Sequence, residues 1–265
     1  MPLSKIDNKN FYYEQHGAGD DLVLISGFTA DHSTWSFMLD DLAKHYRVLV
    51  FDNPGVGRSF IPESDYLLQD MCADIALLLD HLDIQQANFI GSSLGAVLTM
   101  QMCLDQPQRV KKAVLAGGPA SLPITARLQM EGLKYSYENN FNLDYVFLSV
   151  LPWLFGSKFL SDTDKTAQIQ KMLLTNPYPQ TMAGFSAQLN VVFNYDLSAK
   201  LSGINKECLI VAGDEDLLVP IRYMKFLHES IPRAQWEIIG QGVGHMFHIE
   251  EPEQLTKLAL NFFYE

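Results

Sequence analysis

The chain has 265 residues, of which 48% are hydrophobic and 19% charged, and it carries a net charge of −12 from 31 acidic and 19 basic side chains. These are the proportions of a globular protein long enough to bury a large core, as one α/β domain or as a domain with an insertion. The acidic balance argues against nucleic acid or an anionic membrane surface as a partner, and it would repel an acidic carrier protein unless basic residues cluster locally.

The first residues, Met1-Pro2-Leu3-Ser4-Lys5-Ile6-Asp7, contain no apolar stretch of the kind a signal peptide needs, and no apolar run reaches the length of a membrane span. A cytoplasmic protein is the expectation. Residues 10–16 alternate weakly and read as an edge strand. Residues 22–25 and 48–51 are short continuous apolar runs, which suit central strands covered on both faces. Residues 87–90, 113–116, 208–211 and 236–239 continue the strand series. Amphipathic stretches fall between them at 34–45, 67–82, 96–105, 222–230 and 251–263; in the second, Met71, Ile75, Leu78, Leu79 and Leu82 keep helical spacing. Strands alternating with helices predict an α/β fold, with a mostly parallel central sheet and helices on both faces.

The alternation stops between Ser121 and Ala199. That stretch shows no clear strand, is punctuated by Pro123, Pro152, Pro177 and Pro179, and looks helical at 128–130, 145–155, 166–174 and 181–193. It reads as a helical cap, 121–199, inserted into a core domain made of 1–120 and 200–265. Most of its large side chains (Met130, Tyr135, Tyr137, Tyr145, Phe147, Trp153, Phe155, Phe159, Met182, Phe185, Phe193) are expected to glue cap to core, with a few lining a pocket. The cysteines, Cys72, Cys103 and Cys208, lie far apart in apolar runs without metal-site or CxxC spacing, which fits buried thiols in a reduced compartment.

In a parallel sheet, ligands bind beyond the carboxyl ends of the strands. After the strand at 87–90 comes Gly91-Ser92-Ser93-Leu94-Gly95, a G-x-S-x-G run that leads into a helix. A serine is a useful nucleophile only when held beside a base, and a sharp strand-to-helix turn flanked by small residues holds it. After 208–211 comes an acidic cluster, Asp214, Glu215 and Asp216. After 236–239 comes Gly240-Gln241-Gly242-Val243-Gly244-His245. Serine, acid and histidine thus fall at one sheet edge in the order Ser, Asp, His, one of the known orders for nucleophile, orienting acid and base. Gly55-Val56-Gly57 and 240–244 do not complete a dinucleotide fingerprint and there is no P-loop, so neither a cofactor nor a metal is expected. His248, three residues after His245, lacks a zinc spacing and reads as a structural or rim residue. His16, His32, His45, His81 and His228 read as surface or helix-end residues, with His32 near enough to Phe28 to reach a pocket mouth.

Taken with Ser26-Gly27-Phe28 after the first buried strand, the run from Asp52 to Ser59 after the second, the spacing Gly213-x-x-Asp216-x-x-x-Pro220, and Gly244-His245, these features resemble the α/β-hydrolase family, in its capped esterase branch, over essentially the whole chain. The resemblance implies Ser93 as nucleophile, His245 as base and later acid, Asp216 as the orienting carboxylate in preference to Asp214 and Glu215, and the backbone N–H groups of Phe28 and Leu94 as the oxyanion hole. Where the family usually has His-Gly this chain has Ser26-Gly27, which implies a change of loop support and not of chemistry. The activity implied is hydrolysis of a small-molecule carboxylic ester with a small or medium apolar acyl group. Enol-lactone hydrolysis, carbon–carbon bond hydrolysis and removal of methyl esters from carrier-bound acyl chains are the alternatives on the same fold. A non-catalytic ligand receptor is the alternative outside enzymology. Nothing in the sequence signals an oligomeric state.

Overall fold

The computed structural model describes residues 3–63 and 66–264. Met1 and Pro2 of the N-terminal stretch, and Glu265 at the end of the expected core domain, lie outside them. The sheet has eight strands: β1 (Leu3–Ile6), β2 (Lys9–His16), β3 (Asp21–Ile25), β4 (Arg47–Phe51), β5 (Ala87–Ser92), β6 (Val110–Ala116), β7 (Glu207–Gly213) and β8 (Ala234–Ile239). Their order across the sheet is β1-β2-β4-β3-β5-β6-β7-β8. β1–β2 and β2–β4 pair antiparallel and every other neighbour pairs parallel.

The strand expected at the edge, β2, is one place in from it. β1 covers it, in register from Leu3 opposite Tyr12 to Ile6 opposite Lys9. β1 escapes a reading by pattern because it is only four residues long and buries none of them fully. The central strands are buried along almost their whole length, and their side chains divide by the period of two that a strand imposes. Leu22 and Leu24 of β3 join one core, with Trp35, Met38, Leu42 and Phe262; Val23 and Ile25 join the other, with Met71, Ile75, Leu98 and Met224.

Helices α1 (Ser36–Leu42), α10 (Phe247–Glu250) and α11 (Pro252–Tyr264) therefore lie on one face of the sheet, and α2 (Leu68–His81), α3 (Leu94–Asp105) and α9 (Ile221–Ser230) on the other. The predicted helix at 34–45 is broken into a 3-10 turn, His32–Trp35, and α1. Asp31 caps that turn by accepting the Ser33 N–H at 2.9 Å. Between β6 and β7 the chain runs through α4 (Ile124–Glu138), α5 (Leu143–Leu154), α6 (Ser157–Leu160), α7 (Thr163–Leu174) and α8 (Met182–Phe193). Side chains cap three of these starts: Asn142 for α5, Asp162 for α7 and Thr181 for α8. The segment has a core of its own, Phe147, Leu151, Phe155, Phe159 and Ile169, anchored on Ile249 of α10. Phe155 and Phe159 stack at 4.5 Å. Tyr135, Tyr145 and Met182, expected among the gluing residues, are instead exposed. Cys72, Cys103 and Cys208 are all buried and free. Among the described residues no helix is long and apolar enough to cross a membrane.

Candidate active site

Ser93 sits between the last residue of β5 and the first of α3 with φ 55° and ψ −118°. A left-handed φ is costly for any residue with a Cβ, so the surroundings must hold it there. They do so by crowding and by hydrogen bonding. The Ser93 N–H donates to the Ala116 carbonyl of β6 at 2.8 Å. The turn closes only because its flanking residues lack side chains: a Cβ on Gly91 would lie 2.3 Å from the Gly95 carbonyl oxygen, and one on Gly95 would lie 1.9 Å from that of Ile25. The backbones of β3 and α3 touch at Gly95, so Gly95→Ala should cost about 3 kcal/mol of stability as overpacking. Urea unfolding measures it, and an unchanged midpoint would mean the two backbones can part freely.

The acidic cluster after β7 is resolved residue by residue. Asp214 accepts the backbone N–H groups of Gln241, Gly242 and Val243 and so ties down the loop that leads to His245. Burial alone would raise its pKa, but those N–H groups outweigh it and hold the carboxyl below its usual range. Glu215 accepts from the Ser157 N–H at 2.7 Å and the Ser157 hydroxyl at 2.9 Å, joining the β7 loop to α6. Neither is a freely solvated loop carboxylate. Asp216 alone reaches the histidine: its Oδ2 is 2.7 Å from His245 Nδ1, both side chains are buried, and its Oδ1 accepts the Val219 N–H at 2.7 Å. His245 Nε2 is buried and has no hydrogen-bond partner among the described residues. A Cβ on Gly117, just after β6, would be 3.2 Å from His245 Cε1, and one on Gly118 would be 2.6 Å from the Ser93 carbonyl oxygen. The two candidate residues therefore flank the same pair of glycines.

Leu94 opens α3, so its N–H has no acceptor inside the helix, and none of the hydrogen bonds among the described residues uses the Phe28 N–H. Both residues line a cavity with Ser93 and with Ala126, Met130, Val192 and Tyr195 of the segment between β6 and β7. Of these four the sequence singled out only Met130. Among the described residues the lining carries no charged side chain, and the cavity of about 20 Å³ holds little more than one water.

The support around the site was the least visible in the sequence. Ser26 Oγ donates to the Asp31 carbonyl at 3.1 Å and accepts from Trp35 Nε1 at 2.9 Å, so it braces the loop after β3. His32 turns away from the cavity toward Asp52 (Nδ1 to Oδ1, 2.6 Å) and Glu14 (3.7 Å). Burial works against its charge, but the Asp52 hydrogen bond and the charges of Asp52, Asp31 and Glu14 prevail and raise its pKa. Asp31, His32 and Asp52 lie close enough together to resemble a cation site, but their polar atoms are engaged: Asp52 accepts from His32 and Arg58, and Asp31 from Ser33 and Asn176. His16 pairs with Glu14, and His45 with the Tyr264 hydroxyl. His248 is buried, not at a rim. Burial and the nearby His245 push its pKa down to about 3, and it lies 3.4 Å from Ser92 Oγ and 4.9 Å, ring to ring, from Trp35.

Glu250 of α10 is buried and accepts the N–H groups of Gly244 (3.0 Å) and Gly156 (2.9 Å), one beside His245 and the other between α5 and α6. Burial, opposed by those two N–H groups and by His245, and assisted by Asp216, raises its pKa from 4.5 to about 7. The folded protein thus holds this proton more tightly than the unfolded chain. The Glu250 contribution to stability should fall as pH rises between about 4.5 and 7 and be level above that. Comparing urea unfolding of the wild type with Glu250→Gln across pH isolates it; a difference that does not change with pH would overturn this assignment.

The alpha/beta hydrolase fold family matches residues 21–252 of the chain. A protein of Yersinia enterocolitica that carries the provisional name carbamate hydrolase RutD is 29% identical over 262 residues, covering 95% of this chain and 91% of its own. The pimeloyl-[acyl-carrier protein] methyl ester esterase of Yersinia pseudotuberculosis is 29% identical over 266 residues, covering 97% and 98%. The crystal structure of the enol-lactonase from Burkholderia xenovorans LB400 superposes with a TM-score of 0.85 over 100% of both chains at 22% identity, a likeness of fold. With its match across most of the length, its mostly parallel sheet and its strained serine turn after β5, the chain belongs to the alpha/beta hydrolase fold family.

Proposed function

We propose that the protein is a serine hydrolase of neutral carboxylic esters with a small or medium apolar acyl group. The observation that carries this reading is the buried His245–Asp216 pair at 2.7 Å, with Nε2 unpartnered among the described residues, at the sheet edge that bears Ser93. In this reading Asp216 fixes the proton on Nδ1, so Nε2 is the basic nitrogen. Ser93 Oγ passes its proton to Nε2 and bonds to the carbonyl carbon. The carbonyl electron pair moves onto oxygen, which the N–H groups of Phe28 and Leu94 receive. When the C–O bond to the alcohol breaks, the imidazolium returns its proton to the leaving oxygen. Water then repeats the sequence on the acyl-enzyme and frees the acid. Preorganised N–H donors aimed at that oxygen are worth about 10²–10³ each in rate.

The uncharged lining favours a neutral acyl chain. In the same reading residues 121–199 act as a cap that shifts to admit substrate, since the cavity beneath is far smaller than an ester. Two assays test this. A fluorophosphonate probe should label Ser93 in the native protein; no labelling would favour a receptor. A panel of p-nitrophenyl esters of graded acyl length, with lactones and carbamates included, should give its highest kcat/KM on an uncharged acyl ester; a maximum on lactones or carbamates would move the substrate class while leaving the nucleophile in place.

A further inference from the structure

The turn that carries the Phe28 N–H is held from the helical segment and not only from the sheet. Residues 27–30 form a tight turn, closed by the Ala30 N–H donating to the Gly27 carbonyl at 3.3 Å. Its third residue, Thr29, has φ +64°. Type II turns need this positive φ and usually place glycine there; a β-branched threonine adopts it only when neighbours impose it. One side of the turn is anchored by Asn53, whose Nδ2 donates to the Ser26 carbonyl at 2.9 Å. The apex is anchored by Gln188 of α8, the Thr29 N–H donating to Gln188 Oε1 at 3.0 Å.

Gln188 is 0% exposed, and its hydrogen bonds knit three segments together. Oε1 also accepts from Gln180 Nε2 at 3.1 Å, and Nε2 donates to the Pro54 carbonyl at 2.9 Å, in the loop after β4. α8 comes so near that loop that a Cβ on Gly184 would lie 2.1 Å from the Gly55 carbonyl oxygen. One turn before Gln188, the ring of Phe185 lies 5.2 Å from that of Phe28. The helix thus grips the turn twice, by ring and by amide. The two conformations open to such a turn differ mainly in the orientation of the peptide between its two central residues, here Phe28 and Thr29. The acceptor on Gln188 selects the orientation with the Thr29 N–H toward α8, and by doing so fixes the backbone of Phe28.

We propose that Gln188 is a positioning residue for the oxyanion-binding N–H of Phe28, so that docking of α8 sets the geometry of the oxyanion hole. This rests on the reading of Phe28 as an oxyanion donor. The side chain touches no reacting atom; it acts through Thr29. It follows that the hole is fully formed only while α8 is seated.

The test compares Gln188→Met, which keeps the length of the side chain and loses its hydrogen bonds, with Asn190→Leu. Asn190 is on the same helix and donates to the Tyr66 carbonyl at 3.0 Å, so it shares the structural duty without touching the turn. Rates are expressed per active site titrated with a fluorophosphonate, which removes unfolded protein from the comparison. Gln188→Met should lower kcat by about 10- to 100-fold on a p-nitrophenyl ester with KM nearly unchanged. Affinity for a trifluoromethyl ketone, whose adduct carries the oxyanion, should fall in step. Asn190→Leu should lower stability and leave kcat per site as in the wild type. Adding Thr29→Gly, which accepts the positive φ freely, should restore part of the lost kcat to Gln188→Met. If Gln188→Met does not fold, Gln188→Asn carries the same comparison. A kcat per site in Gln188→Met equal to that of Asn190→Leu, a loss confined to KM, or no recovery with Thr29→Gly would each overturn the inference. Those results leave Ser93 as nucleophile intact; retained activity in Ser93→Ala, or no fluorophosphonate labelling of the native protein, would remove the reading beneath it.

Discussion

Replacing Ser93 with alanine should reduce kcat on a p-nitrophenyl ester by about 10⁵- to 10⁶-fold and abolish fluorophosphonate labelling. The size of the effect follows from the kind of role proposed. A group that forms the covalent intermediate cannot be replaced in part, and losing it leaves only what the remaining donors and binding contribute, about 10³–10⁴ over water in triad hydrolases. The fold should survive. Ser93 Oγ takes part in none of the hydrogen bonds of the described residues, and the turn is held by the Ser93 N–H on Ala116 and by the contacts of Gly91 and Gly95, all of which alanine preserves. The positive φ remains, because alanine meets the same Cβ constraint as serine. Thermal unfolding by circular dichroism should therefore overlay on the wild type, and the loss of rate can be read as chemistry. A variant that keeps wild-type turnover would overturn the assignment of Ser93 and the acyl-enzyme with it.

What the sequence made legible were features whose cause is local. The continuous apolar runs of β3 and β4 are buried on both faces, so their composition alone distinguishes them. The small residues around Ser93 are required by contacts within a few residues or with one adjacent strand. Asp214, Glu215 and Asp216, by contrast, are consecutive carboxylates whose duties are set by three distant partners: the 241–243 loop, Ser157 and His245. Composition cannot rank them; only the direction of each side chain does. Gln188 left a faint trace, since it lies between Phe185, Leu189 and Val192 on one face of α8, where an amide is out of place unless it has buried partners. Glu250 left none, because its acceptors' partners are backbone N–H groups, which every sequence has. The network of His32, Asp52 and Glu14 joins three separate parts of the chain and is likewise invisible until the sheet forms.

Asp216→Asn should lower kcat by about 10⁴-fold with little change in KM, through a change of tautomer and not of shape. Asp216 now accepts on both sides: Oδ1 from the Val219 N–H at 2.7 Å, and Oδ2 from His245 Nδ1 at 2.7 Å. Asparagine has the same outline but offers one acceptor and one donor group. The Val219 N–H is a fixed backbone donor, so the amide oxygen must stay on that side; the reverse orientation would set two donors against each other in a buried site. The asparagine NH₂ then faces His245 and requires Nδ1 to accept. A neutral imidazole that accepts at Nδ1 carries its proton on Nε2, the atom proposed to take the proton from Ser93. The ring would be held in place and unable to act as base. Stability should fall only modestly, because both hydrogen bonds survive with donor and acceptor exchanged on the histidine side. A second variant sharpens the test: Asp216→Ala leaves Nδ1 without a partner and the tautomer free, so a fraction of His245 can still present a basic Nε2. Per folded molecule, Asp216→Ala should therefore retain at least as much activity as Asp216→Asn. If Asp216→Asn were as active as the wild type, the carboxylate would not be orienting the base. If Asp216→Ala were far less active than Asp216→Asn at equal folded fraction, holding the ring in place would outweigh fixing its tautomer.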